Sequence, residues 1–144
     1  MRGSEHMVHS VATSIIRQLG MGSTSTTRAC IIEFNDDAHV LLSLSSSSSA
    51  LIGTLEEYQI VGSTNIGNAL TLASTVLGPA ISGEPSPVIV LLSDGEQSNR
   101  HGGSAAAIST AATVKQLGVH IFAMGFETIS QSTLDQIASA PTDM

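Results

Sequence analysis

The chain has 144 residues, of which 42% are hydrophobic and 3% aromatic, and its 12 acidic and 5 basic side chains give a net charge of −7. This length suits one domain, and the few scattered basic residues exclude nucleic-acid binding and a basic membrane-surface patch. The single cysteine, Cys30, excludes a disulfide framework within the chain, and no apolar run approaches the ~18 residues that a membrane insertion would need.

The first seven residues, MRGSEHM, are typical of a vector-derived leader that ends in a cloning-site scar. We therefore expect residues 1–7 to lie outside the native protein. Residues 8–144 are expected to form a single, partial domain.

Hydrophobic periodicity predicts alternating helices and strands along the rest of the chain. In chain order we expect a helix over 8–19, strands over 28–34 and 39–44, a helix that begins in the serine run 45–49, a helix over 66–77, a strand over 87–92, a helix over 104–117, a strand over 119–124 and a helix over 132–139. The short turn at 35–37 indicates an antiparallel hairpin. The later alternation indicates a parallel sheet with helices on both faces, and 87–92 is predicted to be its central strand.

Two loops carry the residues best suited to bind a ligand. In sheets of this kind ligands bind at the carboxyl ends of the strands, which points to the segment 93–96 and to the loop at Thr64. An aspartate at a strand end (Asp94) near a threonine at a helix N-terminus suits a hard cation such as Mg²⁺. Ser-Asp-Gly after a strand is also an ordinary turn, so the residues alone leave both interpretations open.

Other reactive side chains are expected to be structural: His39 and His120 within strands, Cys30 among apolar neighbours, and Asp36 and Asp37 in a turn. His101, seven residues after Asp94, is a candidate for a contact at the rim of the site. The sequence contains no nucleophile elbow, no Walker A loop and no zinc-protease motif.

Four segments, in this order, resemble motifs of von Willebrand factor A domains. Residues 30–36 (CIIEFND) resemble the second strand, 62–70 (GSTNIGNAL) the loop with the adhesion-site threonine, 88–95 (VIVLLSDG) the fourth strand with its aspartate, and 119–126 (VHIFAMGF) the fifth strand. Residues 134–141 resemble the helix and turn that follow. The resemblance implies a Rossmann-like three-layer α/β/α sandwich, with a mostly parallel sheet and one antiparallel edge strand at 39–44, truncated to about four strands.

The resemblance also implies a metal-ion-dependent adhesion site. Thr64 matches the family's threonine and Asp94 its aspartate, with Ser63 and Glu96 nearby. The family's Asp-x-Ser-x-Ser loop, which follows its first strand, has no counterpart in this sequence, and neither do its last strand and helix. We therefore expect a degenerate site that binds Mg²⁺ weakly or not at all, and we expect the Asp94 carboxylate to accept hydrogen bonds from residues 63–66 instead.

In the family, the first strand lies between the strands that match 28–34 and 87–92 here. We therefore expect these two strands either to pair directly, in the order 39–44, 28–34, 87–92, 119–124, or to be bridged by a second chain. Unpaired strand edges inside a sheet are costly and recruit other strands. A homodimer formed through these edges is one expected partner arrangement.

Three functions are compatible with these features. The first is an adhesion-type module that binds a protein partner, and the second is a self-associating structural scaffold with no metal-dependent binding. The third, an enzyme that uses Asp94, Glu96 and His101 as acid–base groups, lacks a nucleophile and a cofactor loop, so we expect no enzymatic activity. Members of the family work both outside and inside cells. The resemblance slightly favours an extracellular location, but no residue of the sequence decides between the two.

Overall fold

The computed structural model describes residues 2–59 and 61–141. The chain divides into two compact units, which we describe separately. One unit comprises Met1–Glu33 and His39–Gly62, and the other comprises Phe34–Ala38 and Ser63–Met144. None of the helices in the described part of the chain combines the length and hydropathy that a membrane span requires.

The first unit contains two helices and a β-hairpin: α1 (Arg2–Gln18), β1 (Ala29–Phe34), β2 (Ala38–Ser45) and α2 (Ser48–Glu57). The two strands form an antiparallel two-stranded sheet, as the short turn predicts. The small core of this unit consists of Ile16, Leu51 and Leu55, with partly buried apolar residues around them. The helical spacing of Leu51 and Leu55 places both side chains on the buried face of α2.

Helix boundaries follow the capping signals in most places. The Ser47 hydroxyl accepts a hydrogen bond from Ala50 N–H at 3.2 Å, which confirms that the serine run begins a helix. Helix α1 begins at Arg2, six residues before the predicted start at Val8. No proline interrupts residues 2–8, and Glu5 in the first turn favours the helix dipole. The origin of residues 1–7 stays a prediction.

The second unit alternates helices and strands: α3 (Ile66–Leu77), β3 (Val88–Ser93), a 3₁₀ turn (Asn99–His101), α4 (Gly103–Gln116), β4 (His120–Gly125) and α5 (Gln131–Ile137). Strand β3 pairs with β4 in parallel, from Val88 opposite His120 to Ser93 opposite Gly125. The connection through α4 is the helical crossover that parallel neighbours require. These elements confirm the mixed α/β fold.

The core of the second unit lies on one face of its sheet. Ile89, Leu91 and Ile121 are buried there against the helices, in a cluster with Ile66, Leu70, Ala107, Ala111, Val114, Val119 and Ile137. Successive side chains of a strand point to opposite faces. On the other face, Val88 and Val90 of β3 and Phe122 of β4 are exposed.

The predicted order of the strands is wrong in one respect. Among residues 2–59 and 61–141, the four strands form two separate two-stranded sheets, so the strands at 28–34 and 87–92 do not pair directly, and β3 is an edge strand instead of a central one. The six residues of β1, predicted to be covered on both faces, are all half-buried. Each pair that does form joins two strands that are consecutive in the chain, whereas β2, α2 and α3 separate β1 from β3 along the chain, and no local sequence pattern specifies their pairing. Bridging by a second chain stays a prediction.

The chain's one lysine joins two helix ends within the second unit. Lys115 Nζ, in the last turn of α4, donates to the backbone oxygens of Gln136 at 2.9 Å and Ala138 at 3.0 Å, at the end of α5. The last carbonyls of a helix lack partners within the helix and carry partial negative charge. A cation at this position therefore fastens α5 to α4.

We predict that Lys115→Met lowers the free energy of unfolding by about 1 kcal/mol, because it removes two charge-assisted hydrogen bonds and keeps the aliphatic stem. Urea midpoints measured by circular dichroism test this. Gln116→Met, at an exposed neighbouring position, is the matched control and should change the midpoint little. Equal midpoints for the two variants would contradict the assigned role of Lys115.

Candidate functional site

Thr64 lies against the turn that follows β3. A Cβ atom placed on Gly95 would lie 3.5 Å from Thr64 Oγ1 and 3.6 Å from Thr128 Oγ1. Ser98 N–H donates to the Thr64 carbonyl oxygen at 2.9 Å. The structure thus brings together the two loops that the sequence singles out, and adds a third loop, after β4, that carries Thr128.

The backbone of Asp94 fastens that third loop. Its carbonyl oxygen accepts hydrogen bonds from Thr128 N–H at 3.2 Å and from Thr128 Oγ1 at 3.0 Å. Phe126 N–H donates to the carbonyl oxygen of Ser93 at 2.8 Å. Parallel pairing causes this meeting, because it ends β3 and β4 side by side at Ser93 and Gly125. The expected hydrogen bonds from residues 63–66 to the Asp94 carboxylate stay a prediction.

Glu96 holds the N-terminal ends of two helices. Its Oε1 accepts from Ser130 N–H at 2.8 Å and from Thr133 Oγ1 at 2.9 Å, at the start of α5. Its Oε2 accepts from Ser104 Oγ, at the start of α4. Both carboxylate oxygens are therefore engaged by hydrogen-bond donors, and the helix dipoles favour a negative charge at this position.

The same contacts set the ionisation of Glu96. Partial burial opposes the charged form, but the hydrogen bonds from Ser104, Ser130 and Thr133 outweigh it and hold the pKa of Glu96 below its usual value. The carboxylate is therefore negative at neutral pH. We interpret Glu96 as a residue that positions the loop carrying Asp94.

Gln97 is a positioning residue that sequence reasoning missed. Its side chain is buried; Oε1 accepts from Gly67 N–H at 2.7 Å, and Nε2 donates to the His101 carbonyl oxygen at 2.7 Å. A Cβ on Gly67 would lie 3.3 Å from Thr110 Oγ1 and 3.4 Å from Gln97 Oε1, so glycine allows this close approach. No sequence signal marks an isolated glutamine; Gly67 in the first turn of a helix is the one visible hint.

Asp36 does more than form the predicted turn. Its carboxylate forms an ion pair with Arg100 and lies 3.2 Å from His101 Nε2. The hydrogen bond with His101 and the charge of Arg100 hold the pKa of Asp36 below its usual value. Asn65 Nδ2 also donates to the Asp36 carbonyl oxygen at 3.1 Å. His101, predicted as a rim residue, therefore contacts this turn. The ion pairs of Asp36 with Arg100 and with His101 are too exposed to contribute much to the free energy of unfolding.

The residues predicted to be structural lie where the sequence places them. His39 belongs to β2 and His120 to β4. Cys30, on β1, is half-buried, and burial raises the pKa of its thiol. A thiol with a raised pKa is a poor nucleophile at neutral pH.

One surface depression, of about 660 Å³, is lined by a single helix of the first unit, α1, through Glu5, His6, His9, Ser10, Thr13, Ser14 and Arg17. Binding sites are usually enclosed by several elements and are mostly apolar. We therefore place the candidate site at the loops around Thr64 and Asp94.

The sequence predicts two metal ligands in these loops. Mg²⁺ prefers six oxygens in near-octahedral geometry, and the predicted ligands are one hydroxyl, from Thr64, and one carboxylate, from Asp94. Across residues 2–59 and 61–141, no three His, Cys, Asp or Glu side chains are grouped so that they would hold a metal ion.

The family follows from the match between this sequence and known proteins. The von Willebrand factor type A domain profile matches residues 3–144. The chain belongs to the von Willebrand factor type A family. A comparison with curated proteins finds no match.

Solved structures share the fold of this von Willebrand factor A chain. Proximal thread matrix protein 1 from the mussel byssus, with a zinc-occupied MIDAS motif, is 23% identical, with a TM-score of 0.72 over 94% of this chain and 34% of that one. Manganese-loaded TRAP protein from Plasmodium vivax is 18% identical, with a TM-score of 0.73 over 95% of this chain and 56% of that one. An aerotolerance-related membrane protein from Bacteroides fragilis is 21% identical, with a TM-score of 0.67 over 84% of this chain and 56% of that one.

The chain spans between 34% and 56% of the length of these three proteins. At such low identities the likeness establishes the fold and not the activity.

We predict that Glu96→Gln lowers the free energy of unfolding at pH 7 by about 1 kcal/mol, since the charged hydrogen bonds are lost at a partly solvated position. Because folding lowers the pKa of Glu96, its contribution is present above the unfolded pKa of about 4.3 and is lost as the pH falls through the lower, folded pKa. The difference between wild type and variant should therefore shrink below about pH 4.

Denaturant unfolding at several pH values measures this difference. Glu84→Gln, at an exposed position outside the contacts of Glu96, is the control and should show no such pH dependence. A difference that stays constant from neutral pH to pH 3 would mean that the charge of Glu96 is not what stabilises the loop.

Proposed function

We propose that this chain is an adhesion-type binding module that engages a protein partner at the carboxyl ends of β3 and β4. The observation that carries this proposal is the convergence of Thr64, Gly95 and Thr128, with Cβ-to-hydroxyl distances of 3.5 and 3.6 Å at Gly95. Backbone hydrogen bonds and the buried Gln97 hold the loops before any partner arrives. A surface that is already ordered loses little conformational entropy on binding.

We further propose that the metal-ion-dependent adhesion site of this chain is degenerate. Thr64 and Asp94 match two of the family's ligand positions, and the zinc-occupied and manganese-loaded relatives support a divalent ion at such positions. A bound Mg²⁺ would supply a position for a carboxylate oxygen of the partner. With two protein oxygens in place of a full shell, this contribution is small, and docking depends mainly on the loops themselves.

We also propose that the chain is not an enzyme. The oxygens of Glu96 are engaged by Ser104, Ser130 and Thr133, and His101 contacts Asp36. Glu96 and His101 thus have structural partners in the described chain. A general acid or base must lie within reach of the proton that it transfers.

Titration calorimetry with Mg²⁺ and Mn²⁺ tests the degenerate site. We expect dissociation constants no tighter than about 1 mM for the wild type, because each missing carboxylate removes a charged ligand. Asp94→Asn should change little, as should the control Asp135→Asn at an exposed position on α5. Micromolar binding that is lost in Asp94→Asn and kept in Asp135→Asn would overturn the degeneracy.

Selection of displayed random peptides on the wild-type chain, with chelator present, tests the docking surface. Gly95→Arg would fill the space beside Thr64 and Thr128 at ordinary contact distances, so the fold should tolerate it. We expect the selected peptides to lose at least tenfold in affinity for Gly95→Arg and to keep their affinity for Thr113→Arg, an exposed position late in α4. Peptides that bind both variants equally would place the binding surface elsewhere.

A second candidate function, a self-associating structural scaffold, is favoured by the sheets. In the part of the chain that the structure describes, each sheet consists of two strands, and two-stranded sheets are marginal on their own. We propose that a homodimer formed through an unpaired strand edge relieves this weakness, with or without a bound metal.

A further inference from the structure

We propose that β3 of one molecule pairs in antiparallel orientation with β3 of a second copy, which creates a four-stranded sheet across a two-fold axis. This inference rests on the second proposed function, self-association, and specifies the strand, the direction and the register. It is independent of metal binding.

The backbone of β3 offers one open side. Within the described chain β4 is the only strand that pairs with β3. His120 N–H bonds to the Pro87 carbonyl oxygen and Phe126 N–H to that of Ser93, so odd-numbered residues of β3 direct their backbone groups to β4. Because these directions alternate along a strand, the N–H and C=O groups of Val88, Val90 and Leu92 lie along the open edge.

Hydrogen bonds from the segment after α5 cover the outer edge of β4, whereas no strand of the described residues pairs with the outer edge of β3. Ser139 N–H donates to the Ile121 carbonyl oxygen at 2.8 Å, and Ile121 N–H donates to Ser139 Oγ at 2.9 Å. These groups of Ile121 lie on the side of β4 that faces away from β3, because the neighbouring His120 bonds to β3. The segment after α5 therefore protects β4, and β3 remains the edge open to pairing.

The sequence of β3 has none of the features that protect natural edge strands. Its six residues, VIVLLS, contain no charge and no proline, and its register with β4 runs without a bulge. Natural edges usually carry lysine, proline or a bulge that prevents pairing with another chain. An unprotected apolar strand of this kind accepts another extended apolar strand.

Charge selects the antiparallel orientation for a second copy. The chain carries a net charge of −7, so two copies repel each other except where their contact is neutral, and β3 is such a segment. Parallel pairing of two β3 strands would bring both Asp94 carboxylates together at one end. Antiparallel pairing places them at opposite ends and closes the assembly as a dimer.

The alternating direction of the backbone groups along β3 fixes the register of the two β3 strands in the dimer. With Val90 opposite the same residue of the second copy, Val88 lies opposite Leu92, and all three residues present their free backbone groups to the partner. Their side chains extend the apolar face on which Val88 is 46% exposed, Val90 41%, Phe122 62% and Met124 46%. Apolar cross-strand pairs are the unit of stabilisation in a sheet.

The size of the contact predicts a weak dimer. Edge-to-edge pairing leaves this face exposed to solvent and buries only the surface that the two β3 edges cover on each other, well below the roughly 1,200 Å² that a stable interface buries. The backbone hydrogen bonds of the edge must therefore supply most of the affinity. We expect a dissociation constant on the order of 10–100 μM.

Sedimentation velocity of the full chain in chelator, over a concentration range that brackets this value, tests the dimer. Val90→Lys places a charge on the open edge at a side chain that is already exposed, and it should weaken the dimer at least tenfold. Val61→Lys makes the same change at a position that is 60% exposed outside β3, and it should leave the dimer intact. Circular dichroism verifies that both variants fold.

Cross-linking tests the register without disturbing the charge. In a Cys30→Ser background, Val90→Cys places two cysteine Cα atoms about 5.5 Å apart across the two-fold axis, so a short bismaleimide can join their thiols. Val88→Cys places the two Cα atoms about 14 Å apart, because the two cysteines are four residues out of register. We expect a covalent dimer from the first variant and a monomer from the second.

Three results would overturn the proposal, and each of them contradicts a different part of it. A wild-type chain that stays monomeric throughout removes both this dimer and the self-associating scaffold. A dimer that survives Val90→Lys keeps self-association but removes β3 from it. Equal cross-linking at positions 88 and 90 removes the proposed register alone.

Discussion

Parallel pairing of β3 with β4, packed on one face against helices, sets the arrangement of the second unit. Ile89 and Leu91 anchor β3, and Ile121 anchors β4, in the same buried cluster. Because the strands run in register from Val88 to Ser93, the loops that follow them begin side by side. The meeting of Thr64, Gly95 and Thr128 is a consequence of that pairing, and so is the apolar face left on the opposite side.

Hydrogen bonds between side chains and backbone order the loops of the candidate site. Glu96 accepts hydrogen bonds from the first turns of α4 and α5, and the buried Gln97 links α3 to the 3₁₀ turn. These contacts use a carboxylate that would otherwise be a ligand candidate. They also give the loops a fixed shape, which the proposed docking of a protein partner requires.

The two proposed modes of association make different demands on the chain. Docking at the carboxyl ends of the strands uses side chains of ordered loops, and a partner of another kind supplies the complementary surface. Self-association through β3 uses backbone groups, which every chain possesses, so only charge, proline and bulges would prevent it. The absence of all three from VIVLLS is what makes the second mode specific to this strand.

Local signals in the sequence determined most of the elements and the family. Helical periodicity located α2 and α3, the serine run 45–49 indicated the start of α2, and four ordered motifs indicated the von Willebrand factor A fold. Only the tertiary structure decided the division into two sheets, the contact of Asp36 with Arg100, 64 residues away, and the role of Gln97. The reason is physical: periodicity and capping act within a few residues, whereas strand pairing and polar contacts between loops depend on how distant segments pack, and no local pattern encodes that.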